Sequence, residues 1–171
     1  MLKTAIRSLT ELMEFVAAIT LAMMLLHVLA DVVGRQVIGM PAPATTEVVA
    51  YYYMIAAVFL PLPFVELRNR AISVDLFYNT FPHWMKRFSI IIAALCGIVF
   101  WGILAVKSSY DAIDAFQKGE MIDGTYTVPI WPTRCALPIA FGLTTMVVAL
   151  RLVEQGLLGL PESEDEASEA V

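Results

Sequence analysis

Four long apolar runs alternate with short charged stretches along this chain. The clearest run is the 18 residues from Val48 to Val65, bounded by Glu47 and Glu66. As a helix it rises about 27 Å, close to the ~30 Å hydrocarbon core of a bilayer. Tyr51, Tyr52 and Tyr53 crowd one end, where amphipathic rings favour a membrane interface. Arg68 and Arg70 mark the other end. A first run precedes it over residues 12–34, and a third follows over 88–106. The fourth, 130–151, has a charge-free part of only 16 residues, Cys135 to Leu150. Val128 to Trp131 and the snorkelling stems of Arg134 and Arg151 extend it. The pattern predicts an all-α integral membrane fold with four transmembrane helices in one domain over residues 1–160. The tail 161–171 is acidic and poor in apolar residues, which predicts disorder on the cytoplasmic side.

The connecting segments differ in kind. The loop from Arg35 to Thr46 carries Gly39, Pro41 and Pro43, which punctuate rather than continue a helix. Pro61 and Pro63 lie in the last third of the second run and predict a kink or early end near Leu60. Residues 72–88 place Val74, Phe77, Phe81, Trp84 or Met85, and Phe88 at helical spacing, with Asp75, Asn79, Lys86 and Arg87 between them. Such a segment lies in the interface plane, so residues 73–81 read as an amphipathic interfacial helix between spans two and three. Pro82 then starts a helix that runs into span three. Within span three, Ala93 and Gly97 are four apart, a spacing that admits close helix approach. The next loop is read from Asp111, Asp114, Glu120 and Asp123, with Gly119 and Gly124 as turn signals.

Composition agrees with the pattern: 59% of the 171 residues are hydrophobic, 16% are charged and mean hydropathy is +0.74. Soluble domains carry about a quarter charged residues. The net charge of −5 comes from the tail ESEDEASEAV, which holds five acids and no base. No basic stripe points to nucleic acid. Cys96 and Cys135 form neither a disulfide framework nor a metal pattern. The basic residues Lys3 and Arg7 before the first run suit a signal peptide, but an apolar region of about 20 residues exceeds the ~7–15 of a signal core. An uncleaved first span is the expectation.

The candidate chemistry is sparse. His27, Asp31 and Arg35 fall on one helical stripe. An ionisable stripe inside a span suits a proton or ion path, whereas its place near the outer end suits a polar seam with Asp31 and Arg35 paired locally, and the second reading is preferred. Glu14 invites comparison with small four-helix drug antiporters, yet it lies at the mouth of the first span. A haem held by two histidines needs both inside the bilayer, and only His27 qualifies. No catalytic, metal-binding or cofactor motif is present, so no enzyme activity and no cofactor are expected. Glu47 and Arg35 stand at facing helix ends, where opposite charges can pair.

The order of these features resembles the small membrane subunit, DctQ-like, of tripartite ATP-independent periplasmic (TRAP) transporters. The resemblance spans roughly residues 10–155. It rests on Arg35 closing span one, Glu47 opening span two and the basic turn of Arg68 and Arg70. It also rests on the segment Ile72, Val74, Asp75, the pair Phe81 and Pro82, and the proline-bearing approach to span four at Pro129, Trp131 and Pro138. Two departures stand out: Ala71 replaces a histidine common in the family, and Pro61 and Pro63 stand where small residues are usual. The resemblance implies a non-catalytic subunit of a sodium-driven, binding-protein-dependent transporter for organic acids. Its partners would be a large membrane subunit, a periplasmic substrate-binding protein and the bilayer of a bacterial inner membrane. It further implies contact or structural roles for Arg35, Glu47, Arg68, Arg70, Ile72, Val74, Asp75, Phe77, Phe81 and Gly97. The alternative is an autonomous, oligomeric four-helix transporter, which would need a mid-span cation or a broken helix to hold a carboxylate.

Orientation follows from basic residues. Lys3, Arg7, Arg68, Arg70, Lys86, Arg87 and Arg151 fall on one side, and Arg35, Lys107, Lys118 and Arg134 on the other. Both termini are therefore expected in the cytoplasm. Reporter fusions after residues 42, 79, 121 and 160 should read outside, inside, outside, inside. A periplasmic signal at residue 79 would overturn this topology.

Overall fold

The computed structural model describes residues 2–40, 42–68, 83–124 and 126–157. Four of its helices are long and apolar enough to cross a membrane: Thr4–Val37, Thr45–Leu67, Met85–Lys118 and Trp131–Glu154. The chain is a four-span membrane protein. In lipid no water is available to backbone N–H and C=O groups, so apolar runs of this length form helices that satisfy them internally.

Helix α1 (Leu2–Val33) runs on through a π-helical turn, Gly34–Ile38. The second span is built from α2 (Thr45–Val48), a π-helical turn (Val49–Tyr53), α3 (Met54–Phe59) and α4 (Leu62–Leu67). Its helix breaks at Leu60 and Pro61, where proline withdraws a backbone donor. Helix α5 (His83–Lys118) is followed by strands β1 (Met121–Asp123) and β2 (Thr127–Pro129), then α6 (Trp131–Arg151) with a π-helical continuation, Leu152–Leu157. The proposed interfacial helix at 73–81, with Pro82, and the acidic tail lie outside the described residues.

The structure departs from the sequence reading in three places. Residues 107–118 continue α5 rather than form a loop. Their charges sit in two i,i+4 ion pairs, Lys107–Asp111 at 2.8 Å and Asp114–Lys118 at 2.6 Å, which support a helix. The helix stops at Gly119, whose φ of 59° is left-handed. Next, β1 and β2 pair antiparallel, Ile122 opposite Val128, so Val128 belongs to a hairpin and not to span four. Span four instead gains length at its other end, beyond Arg151. Finally, the small-residue face of α5 is set by Ala94, which is buried, and not by exposed Ala93.

Packing follows a repeat of seven. On α1 the inward positions are Ile6, Met13, Thr20 and His27, interleaved with Thr10, Ala17, Met24 and Asp31. On α5 they are Ala94, Trp101, Ser108 and Ala115. This repeat belongs to helices that cross at shallow, left-handed angles. Helix α6 is the hub: α5 packs along its length, and α1, α3 and α4 also meet it. Ile6 and Met13 of α1 form one buried cluster with Ala140, Leu143 and Val147 of α6. Phe59, Phe141 and Trp101 join spans two, four and three, with ring centroids 5.5 and 5.8 Å apart. Buried hydroxyls bond to their own helices, Thr144 to the Ala140 carbonyl at 2.8 Å and Thr10 to that of Arg7 at 2.8 Å.

Gly97 lies in close contact with α6: a Cβ there would stand 3.2 Å from Val148 Cγ1. The close contact is therefore within the subunit. Gly97→Leu should lower stability by about 1–3 kcal/mol through overpacking. A melt of the purified chain in detergent checks this, and an unchanged midpoint would remove Gly97 from the packing seam.

Candidate functional site

The side chains that bind one span to another gather at the two ends of the bundle. At the end where span one turns back into span two, Asp31 is buried on the inward seam of α1. Its Oδ2 accepts from Arg35 Nε at 2.9 Å, and its Oδ1 from the backbone N–H of Ala42 at 2.8 Å. One carboxylate thus fixes both the end of span one and the loop that returns to span two. Thr45 adds a bond from its hydroxyl to the Ala42 carbonyl at 3.2 Å. The return is tight enough to hold Ala44 at φ 57°, a left-handed conformation that is costly for a residue with a Cβ.

Glu47 lies one step further in, only 9% exposed, in the first turn of α2. A carboxylate there meets the positive end of the helix dipole. Its side chain packs against the hairpin between β1 and β2. A Cβ on Gly124 would overlap the carboxylate, standing 2.9 Å from Glu47 Cγ, so an alanine at this position forces the Glu47 side chain to shift. The Tyr52 hydroxyl donates to the carbonyl of Pro129 at the hairpin's far end. The hairpin is held at its base by Ile130 N–H donating to the Glu120 carbonyl at 3.0 Å and by an Arg134–Glu120 ion pair at 2.9 Å. Between the ends, His27 Nδ1 stands 3.4 Å from the Tyr53 hydroxyl with the rings edge to face, joining spans one and two.

At the opposite end, Arg151 of α6 pairs with Glu66 of α4 at 3.1 Å, each side chain less than a quarter exposed. Arg68 lies with its guanidinium carbon 5.2 Å above the centre of the Phe64 ring, a cation–π contact.

Of the residues singled out from sequence, Arg35 is seated on Asp31, Glu47 on the hairpin, Arg68 on Phe64 and Gly97 on α6. Arg70, Ile72, Val74, Asp75, Phe77 and Phe81 lie outside the described residues. The sequence reading missed the clasp formed by Tyr52, Gly124 and Pro129. Its only signal was Gly124 as a turn residue, since strands of three residues leave almost no periodic trace. Among the described residues, no group of three or more His, Cys, Asp or Glu side chains is arranged to hold a metal ion.

The arrangement can brace helices against one another, and it exposes apolar side chains on most outward faces. The sequence model of the family described as tripartite ATP-independent periplasmic transporters, DctQ component, matches residues 24–156. That match covers more than half of the chain. The chain belongs to the DctQ family. No curated protein and no solved structure matches it. DctQ is a component of a transporter, and this chain is accordingly a multi-pass membrane component of a TRAP system. The matched region takes in the hairpin clasp, the aromatic junction and the Glu66–Arg151 pair.

The clasp makes a sign-specific expectation. Gly124→Ala should destabilise this DctQ chain by about 1–3 kcal/mol, because the new methyl group meets the Glu47 carboxylate. In a Glu47→Ala background the same change should cost less. The two sites should couple by roughly 0.5–3 kcal/mol in a double-mutant cycle read by thermal melts. Additive effects would show that Gly124 does not bear on Glu47.

Proposed function

We propose that this DctQ chain is the non-catalytic small subunit of a sodium-driven TRAP transporter for organic acids. In this reading it sits in a bacterial inner membrane with both termini in the cytoplasm. It packs against a large subunit that binds and moves the substrate, and a periplasmic binding protein delivers the substrate to that subunit.

The observation that carries the reading is the character of the bundle interior. Its buried cluster is apolar, built on Ile6, Met13, Ala140, Leu143 and Val147. The ionisable side chains on facing helix surfaces are engaged, Asp31 with Arg35 and Glu66 with Arg151 near the span ends and His27 with Tyr53 between them. A carboxylate entering a bilayer needs groups that replace its hydration, typically a cation or exposed helix N-terminus near mid-membrane. The described interior offers neither at its centre. The outward faces, by contrast, are broad and apolar, and helix association in lipid works through such surfaces by close van der Waals fit.

Reconstitution tests this directly. Liposomes containing this chain alone, supplied with a binding protein, a sodium gradient and a labelled organic acid, should accumulate no label. Adding the large subunit should restore uptake, and omitting the small subunit should reduce it. Robust uptake by the small chain alone would replace this reading with an autonomous carrier.

A further inference from the structure

By sequence Glu14 stands at the mouth of the first span, but the packing of α1 sets it deeper. Ile6 and Met13 share one buried cluster with Ala140, Leu143 and Val147, and Leu67 and Leu150 pack against it. Span four runs opposite to span one, so Ile6 falls level with Val147 and Leu150, and Met13 with Ala140. Leu67 and Leu150 adjoin Glu66 and Arg151, whose ion pair closes that end of spans two and four. Glu14 is eight residues beyond Ile6, about 12 Å further along the helix. The hydrocarbon core is about 30 Å thick, so Glu14 stands near its middle. Met13 gives the same depth, because Ala140 and Leu143 lie midway along the charge-free stretch from Cys135 to Leu150.

Glu14 belongs to a stripe. Arg7, Glu11, Glu14 and Ala18 recur at spacings of three and four on one flank of α1, beside the inward row of Ile6, Thr10, Met13 and Ala17. Arg7 and Glu11 pair at 3.1 Å, their side chains 53% and 45% exposed. Their charges cancel, which leaves the stripe with the single negative charge of Glu14. Glu14 is half-buried, and among the described residues it has no ion-pair or hydrogen-bond partner. Above it the stripe turns apolar at Ala18, Leu21 and Leu25. Acyl chains cannot replace the hydration of a carboxylate. Ionisable groups at this depth face protein or water and pair with an opposite charge.

We infer that this stripe seats a transmembrane helix of the large subunit that carries a lysine or arginine at the height of Glu14. The inference rests on the proposed function and adds the contact by which the two subunits hold each other. One helix with a fixed cation neutralises Glu14 and covers the Arg7–Glu11 pair, and small Ala18 lets its backbone come close one turn above. Such a pair also sets the height of one helix against the other, since sliding by a turn separates the charges by about 5 Å. A second copy of this chain does not fit. Copies related by a two-fold axis along the membrane normal set like residues at the same height, so Glu14 would meet Glu14 and Glu11 would meet Glu11.

The test uses the co-expressed subunits in native membranes. Glu14→Gln keeps the shape of the side chain and removes its charge. It should lower recovery of the large subunit about tenfold, whereas Glu14→Asp should retain most of it. The isolated chain should melt as before with either change, and a matching loss in the melt would assign Glu14 a role inside the chain instead. Photoreactive p-benzoylphenylalanine in place of Ala18 should cross-link to the large subunit. Full recovery with Glu14→Gln would mean a protonated carboxyl turned to lipid and would overturn the inference, as would cross-links from position 18 only to lipid or to a second copy. Each of these results leaves the proposed function standing. Failure of the unmodified subunits to co-purify would defeat the proposed function, and this inference with it.

Discussion

Everything in this fold depends on how closely helices can approach α6. In water, apolar surface is driven together by its removal from solvent, whereas lipid tails are as apolar as the side chains themselves. Helices in a bilayer must therefore gain their association from contact distance and from polar groups that would be costly elsewhere. Here the contact is supplied by Ala94, Gly97 and Ala115 on α5 and by Ala140 and Val147 on α6. The polar interior, Thr144, Thr10 and Ser108, is turned back onto its own backbone carbonyls and demands nothing from neighbours. The seven-residue repeat on α1 and α5 keeps these small and self-satisfied residues on one line over many turns.

Once α6 is packed against its neighbours, the ends have to be closed, and this is where the charges that join spans go. Asp31 gathers the end of α1 and the return loop, Glu47 and Tyr52 hold the hairpin, Arg134 and Glu120 brace its base, and Arg151 and Glu66 join spans four and two. Each of these contacts joins elements separated by a loop or a span, so together they resist sliding of one helix along another. An ion pair near a membrane interface is worth more than one in bulk water because competing hydration is weaker. Contacts of this kind brace this DctQ chain at both ends of its bundle.

Helix α5 shows how one sequence repeat is used twice. Residues seven apart beginning at Ala94 are small or hydroxylated except for Trp101 and turn inward, whereas those seven apart beginning at Met85 are large, apolar and face outward. Small residues mark a contact already made inside the chain. Large ones mark a face that the described residues leave exposed.

The sequence by itself determined the number of spans, because a charge-free run of about 18 residues has no satisfactory alternative to a helix across lipid. It also determined the break at Pro61, which follows from a missing donor, and the local pairing of Asp31 with Arg35, which follows from i,i+4 spacing. The family was legible in the order of Arg35, Glu47, the basic turn and the prolines before span four, over much the same stretch that the family's sequence model matches. Other features needed the tertiary structure. That α5 runs on through Lys107–Lys118 was hidden because charge ends a hydrophobic run without ending a helix. The hairpin was hidden because three-residue strands have no period to read. The seats of Glu47 on Gly124 and of Gly97 on Val148 join residues 77 and 51 positions apart. A carboxylate's or a glycine's distant neighbour is set by how whole helices dock, and no local pattern records that.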